Sequence, residues 1–282
     1  YAGSDMWIWG RDFLSLHPSE SDALEIDRQW YHWMLWGRLG YDPSMSDDRI
    51  VAVLHERFPH VDARKLFDAW QHASMIYPLT TGFHWADFDF QWYIEGCRSR
   101  PGPAQTASGF HDVNRFITLD THPGTDNVSI PRYVEALLGG KPVPGTTPLQ
   151  VADRLDANAG AAIELVDALK DGKHTPELAA TLSDIRAMAL LGHYYAEKIR
   201  GATALALFRS NGDAKQRDQA VERLTAAAIL WKRYTTLAAS KYRNPLWTNR
   251  VGRVDWNELN AEVARDIEIA RAATFDGEHR TP

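Results

Sequence analysis

The sequence predicts an all-α protein: an aromatic-rich helical part with a long loop region, followed by an antiparallel four-helix bundle. Three observations carry this expectation. From residue 147 onward, apolar side chains recur at three- and four-residue spacing through four long stretches separated by Gly-, Asn- and Pro-bearing breaks. Eight of the eleven tryptophans (Trp7, Trp9, Trp30, Trp33, Trp36, Trp70, Trp85 and Trp92) fall in the first 92 residues. Between residues 77 and 129 helical periodicity gives way to Gly, Pro, His, Asp and aromatics. The expected division is therefore an aromatic-rich helical and loop subdomain over 1–140 and an antiparallel helical bundle over 141–282.

The first part is built around residues 27–43, which carry three tryptophans and the turn Trp36-Gly37-Arg38-Leu39-Gly40-Tyr41-Asp42-Pro43. Trp30, Trp33 and Met34 share one helical face, and Gly37, Gly40 and Pro43 are expected to end that helix. A buried helix would then deliver Arg38 and Tyr41 to a turn. Ser46 is positioned to cap a helix bearing Ile50, Val53, Leu54 and Phe58, which Pro59 stops. Asp62 caps the next, with Leu66, Ala69, Trp70 and Ala73 as its apolar stripe, and Tyr77-Pro78 is expected to close it. Residues 1–22, including Trp7, Trp9 and Arg11, read as an irregular lead-in.

The second part opens after a short helix at residues 130–138 and the connector 139–145, whose Gly and Pro content excludes regular structure. Thr147-Pro148-Leu149-Gln150 is a capping box with proline at the first helical position. Thr175-Pro176 starts a helix of about 35 residues, about 50 Å at 1.5 Å per residue. A returning helix carries Ala220, Leu224, Ala227, Trp231, Tyr234 and Ala238, and Asp255 opens a fourth with Leu259, Val263 and Ile267. Short connections between the first three predict antiparallel neighbours.

Composition excludes several functions. A net charge of −6 and a pI near 6.0 without a long basic run argue against nucleic-acid binding and against an anionic membrane surface. No apolar run is long enough to span a membrane. The single cysteine, Cys97, excludes an internal disulfide and a Cys-based zinc cluster, and leaves the compartment open. There is no phosphate loop and no dinucleotide glycine motif, so no cofactor is expected. His193 and Glu197 lie four apart on the long helix. Without a supporting ligand motif they read as a hydrogen-bonded bundle residue beside a charge, and no metal is expected.

The best place for chemistry is Gly82-Phe83-His84-Trp85-Ala86-Asp87-Phe88-Asp89-Phe90-Gln91-Trp92-Tyr93-Ile94-Glu95. In an extended chain Asp87 and Asp89 share one face while Phe88, Phe90 and Trp92 share the other. Sugar recognition uses such a set: flat rings pack on the C–H face of a pyranose while carboxylates and guanidinium groups bind its hydroxyls. A uronic acid would further call for arginine, which grips a carboxylate with two parallel bonds; Arg11, Arg38, Arg98 and Arg115 are available. The candidate substrate-binding residues are Arg38, Tyr41, His84, Trp85, Asp87, Asp89, Trp92, Glu95 and His111. The competing reading makes the aromatics core and the aspartates turn caps. His122, like His111, also suits a turn.

The aromatic helix, the Gly37-to-Pro43 turn and Ser46-Asp47-Asp48-Arg49-Ile50 opening the next helix together resemble the start of the helical C-terminal region of α-glucuronidases and related large polysaccharide-degrading glycoside hydrolases. That resemblance implies a C-terminal helical part that lends loop residues to a sugar site, with the bundle bracing a catalytic barrel domain or mediating dimerisation. It places the catalytic carboxylates outside these residues and the protein in the periplasm or outside the cell. Asp87, Asp89 and Glu95 could supply the two carboxyl groups of glycosidic cleavage, but the chain lacks a barrel's alternation of strands and helices. The alternative is a free-standing carbohydrate-binding or protein-interaction module without catalysis.

Overall fold

The computed structural model describes residues 29–85, 92–99, 109–172, 174–248, 251–275 and 277. The protein is all-α. The helices are α1 (Trp30–Tyr41), α2 (Asp47–Arg57), α3 (Ala63–Phe83), α4 (Val113–Thr118), α5 (Ile130–Leu138), α6 (Pro148–Ala168), α7 (Pro176–Asn211), α8 (Ala214–Ala239) and α9 (Trp256–Arg271). Among the described residues the strands form only two small antiparallel hairpins, β1 (Trp92–Tyr93) with β2 (Arg98–Ser99) and β3 (Leu246–Thr248) with β4 (Gly252–Val254). No helix of the described residues is long and apolar enough to cross a membrane.

The caps read from the sequence set the helix starts. Thr147 and Gln150 form the reciprocal capping box, and Thr175 and Asp255 each accept a backbone N–H with their side chains. Gly212 ends α7 with φ +74°, a left-handed conformation that glycine adopts without steric cost.

The central helix is α7. From Ala189 to Phe208 nearly every residue is buried, as expected for a helix apolar on all sides. It is enclosed by α6 and α8, with α3, α4 and α5 completing the enclosure, and α9 packs on α8. The helices pair antiparallel: Arg186 bridges Asp167 while Arg200 bridges Asp153, and Tyr194 meets Trp231 while Arg217 lies over Phe208. Close approach is made by small residues. A Cβ on Gly192 would sit 2.5 Å from Ile76 Cδ1 and 3.1 Å from the Ala159 Cβ, and one on Gly201 would sit 2.8 Å from Leu224 Cγ. Through these contacts α3 lies along α6 and α7, so one hydrophobic core joins residues from both sides of the 139–145 connector.

Two local expectations are corrected. The helix at residues 63–83 does not close at Tyr77-Pro78. Pro78 is on the exposed side, and the burial of Ile76, Thr80 and Phe83 on the other side outweighs the lost backbone hydrogen bond. The loop region is correspondingly shorter and holds the β1–β2 hairpin and α4. Nor is α1 a buried helix. It runs through Gly37 and Gly40 to Tyr41 and seats Tyr31 on Trp70, with ring centroids 3.9 Å apart, and Trp30 near Phe58. Trp33 and Trp36 point the other way and are exposed, so Trp30 and Trp33 do not share the buried face.

Candidate functional site

The segment after α3 is anchored by a chain of buried polar side chains. Helix α3 ends at His84, whose ring stacks on Phe116 of α4 with centroids 3.8 Å apart. His84 Nε2 is 2.7 Å from His111 Nδ1, and His111 Nε2 is 2.8 Å from Ser99 Oγ. All three residues are buried. The backbone repeats the link: His111 N–H donates to Cys97 O, and Ser99 N–H donates to Gly109 O. Cys97 lies at the turn between β1 and β2 with φ +46°, the left-handed region, which a residue with a Cβ seldom occupies.

A second buried chain ties this segment to the bundle. Lys198 Nζ of α7 donates to Asp266 Oδ2 of α9 at 2.7 Å and to Tyr194 Oη at 3.2 Å; Tyr194 Oη in turn donates to Cys97 Sγ at 3.3 Å. Asp266 Oδ1 accepts the Val113 N–H at the start of α4. Tyr195 donates to Ile94 O and Tyr234 to Glu95 O. Burial opposes the charge on Lys198, yet the facing Asp266 carboxylate holds its ammonium above the ordinary lysine value. Burial pushes the Cys97 thiol up, so it stays protonated at neutral pH. His84 is held well below the ordinary histidine value by burial, then by His111, Lys198 and Arg115; His111 is held down by burial, Arg115 and Lys198. Both imidazoles are neutral at pH 7.

The expected sugar-contacting residues separate into groups. His84 and His111 come together but are buried, so neither ring reaches solvent. Trp85 is half-buried, packed edge-to-face on His122 at 4.1 Å, and its backbone N–H donates to Asp120 O. Glu95 is half-buried in the turn held by Tyr234. Asp87 and Asp89 lie outside the described residues; the backbone of Trp92 pairs with Ser99. Arg38 and Tyr41 stand exposed at the end of α1, Tyr41 at 93%. Among the described residues no hydrogen bond, ion pair or ring contact joins them to the His84–His111 cluster. His122 makes the expected turn, its Nδ1 accepting the Gly124 N–H, and Asp112 caps α4.

The His193–Glu197 pair is absorbed by charge pairing. His193 Nδ1 lies 2.6 Å from Asp156, and Glu197 is bridged by Arg200 and Arg223. No group of three or more metal-ligating side chains occurs among the described residues.

Sequence reasoning missed Ser99, Tyr194, Lys198 and Asp266. A signal was present at Lys198, a cation inside a long apolar run that has to find a buried carboxylate; nothing in the pattern says which one.

No family model matches the chain, and no curated protein does. The fold is nevertheless shared with a solved structure described as a GH138 enzyme targeting pectin rhamnogalacturonan II. The TM-score is 0.73 at 16% identity, over 96% of this chain. This chain spans 41% of that chain. At that identity the likeness establishes the all-α architecture.

Proposed function

We propose that this chain is the helical part of a polysaccharide-degrading glycoside hydrolase, acting on a uronic-acid-containing glycan, with catalytic carboxylates supplied from outside these residues. The observation that carries the reading is the fold shared along 96% of the chain with an enzyme that targets pectin rhamnogalacturonan II. The aromatic segment of residues 30–43 supports it independently, since its sequence resembles the helical region of polysaccharide-degrading enzymes.

In this reading the segment following α3 lends side chains to the sugar site. Trp85 and Glu95 are the half-buried contributors among the described residues, together with Asp87, Asp89 and Trp92 of the same stretch. His84 and His111 act from beneath by fixing that segment. The bundle braces the catalytic domain or mediates dimerisation, and the outward face of α1 is the surface offered to it. That helix is apolar on both sides: Tyr31, Met34 and Leu35 pack inward while Trp33, Trp36 and Leu39 face out. A Cβ on Gly37 or Gly40 would meet nothing within 4 Å, which leaves room for close approach of another backbone.

The exposed α1 rings also favour a second reading, a module that binds glycan or protein without catalysis. Titration of the chain with uronic-acid oligosaccharides, followed by tryptophan fluorescence and calorimetry, tests the sugar site. Binding without product release, weakened roughly fivefold by Trp85→Ala, the equivalent of about 1 kcal/mol, is the expected result. The absence of any response would overturn the sugar site. A coding frame that runs upstream of Tyr1 into a barrel of strands and helices would favour the enzyme-part reading over the free-standing module.

A further inference from the structure

The paired histidines are buried, and their setting has a consequence that does not depend on the glycan reading. We propose that the Ser99–His111–His84 chain is an acid-sensitive latch, holding the β1–β2 hairpin and residues 109–112 against the end of α3 at neutral pH and releasing them in acid.

The geometry carries the proposal. His84 Nε2 and His111 Nδ1 are 2.7 Å apart, a hydrogen bond that needs one nitrogen to donate and the other to accept. The chain Ser99–His111–His84 therefore forms in either direction while both rings are neutral, and it accommodates one additional proton at most. Two imidazolium rings cannot share that contact.

The surroundings oppose even the first additional proton. Phe116 of α4 covers the face of His84. The cations that bear on the pair are Lys198 of α7, whose ammonium also lies over the Phe110 and Phe116 rings, and Arg115 of α4. Among the described residues, the anions near this site are engaged, Asp266 of α9 by Lys198 and the Val113 N–H, and Asp112 by the Arg115 N–H. The remaining titratable groups beside Lys198, the Cys97 thiol and the Tyr194 and Tyr195 phenols, stay protonated and neutral at pH 7 and below.

The sign follows from linkage. Both histidines bind protons more weakly in the closed state than in an opened one, where they regain an ordinary value near 6.5. Closure is therefore fully favoured above that value and is lost as pH falls below it. Each histidine that gains a proton on opening multiplies the open-to-closed ratio by about ten per pH unit. What is released is local, because the pair joins the end of α3 to residues 97–99 and 109–111, while α6, α7 and α8 are held by their own apolar contacts.

Hydrogen–deuterium exchange between pH 7.5 and 5.0, corrected for intrinsic rates, tests the latch. Peptides covering residues 92–99 and 109–113 should lose protection below pH 6.5 by about tenfold to a hundredfold per unit, while peptides from α7 and α8 keep theirs. A flat profile in the latch peptides, or loss of protection everywhere at once, would overturn the proposal. His84→Phe, which keeps a ring on Phe116, should cut the slope by one proton; an unchanged slope would also count against it. Should that variant not fold, histidine NMR on the unaltered chain decides: His84 and His111 should remain neutral below the ordinary histidine value and gain protons only as the latch peptides lose protection. Titration of either buried ring at an ordinary value would refute the latch.

Discussion

Lys198 of α7 and Asp266 of α9 form an ion pair 2.7 Å long, with side chains 0% and 2% exposed, at the point where the bundle meets the segment after α3. Removing one partner leaves the other charge buried and uncompensated. Lys198→Met should therefore cost about 3–5 kcal/mol in chemical denaturation. Replacing both residues by apolar ones of similar size should cost less than the sum of the single changes, because neither charge is then stranded.

The α6–α7 face carries a different kind of pairing. Arg200 reaches Asp153, Asp156 and Glu197, and His193 adds a bond to Asp156. Burial works against the Asp156 charge, but the hydrogen bonds from His193 and Arg200 outweigh it and hold this carboxyl below its usual value. A depressed carboxyl contributes stability above its unfolded value of 3.8 and loses it as pH falls through the folded value. These groups are partly exposed, so the effect is small. Asp156→Asn should cost about 1 kcal/mol in urea at pH 7, and the difference from the parent should shrink toward pH 3.

Glycines at two places should respond in opposite directions. Gly192→Val would drive its side chain into Ile76 and Ala159, and thermal unfolding should show a loss of about 1–3 kcal/mol. Gly37 has open space around it and lies within α1. Gly37→Ala should stabilise that helix by about 0.5–1 kcal/mol through lost freedom in the unfolded chain.

The two sides of α1 should separate in the same way. Tyr31→Ala removes a buried ring stacked on Trp70 and should cost about 3 kcal/mol, with faster amide exchange confined to residues 29–41. Trp36→Glu alters a ring that is 55% exposed and should leave the thermal midpoint of this chain within roughly 0.5 kcal/mol of the parent. A large loss on Trp36→Glu would mean that the outward face is already covered within this chain, contrary to its proposed role.

Much of the helical layout was legible because caps and periodicity are local. The Thr147–Gln150 box, the Thr175-Pro176 start and the Asp255 cap each act within a few residues, and each stands where the pattern placed it. The candidate site was legible only in part. Trp85 and Glu95 are half-buried, and whether His84 and His111 face solvent depended on Ser99 and Phe116, neither of which is distinguished in sequence.

The sequence by itself determined the helical class, most helix starts and the concentration of aromatics before residue 92, because backbone caps and apolar spacing are properties of neighbouring residues. Tertiary structure decided where partners are distant in the chain. Pro78 stays helical because α6 and α7 cover the other side of α3, Trp33 faces out because Tyr31 takes the place against Trp70, and Lys198 is tolerated because Asp266 arrives 68 residues later. Burial energies of that kind depend on which surfaces meet, and no local pattern records the meeting.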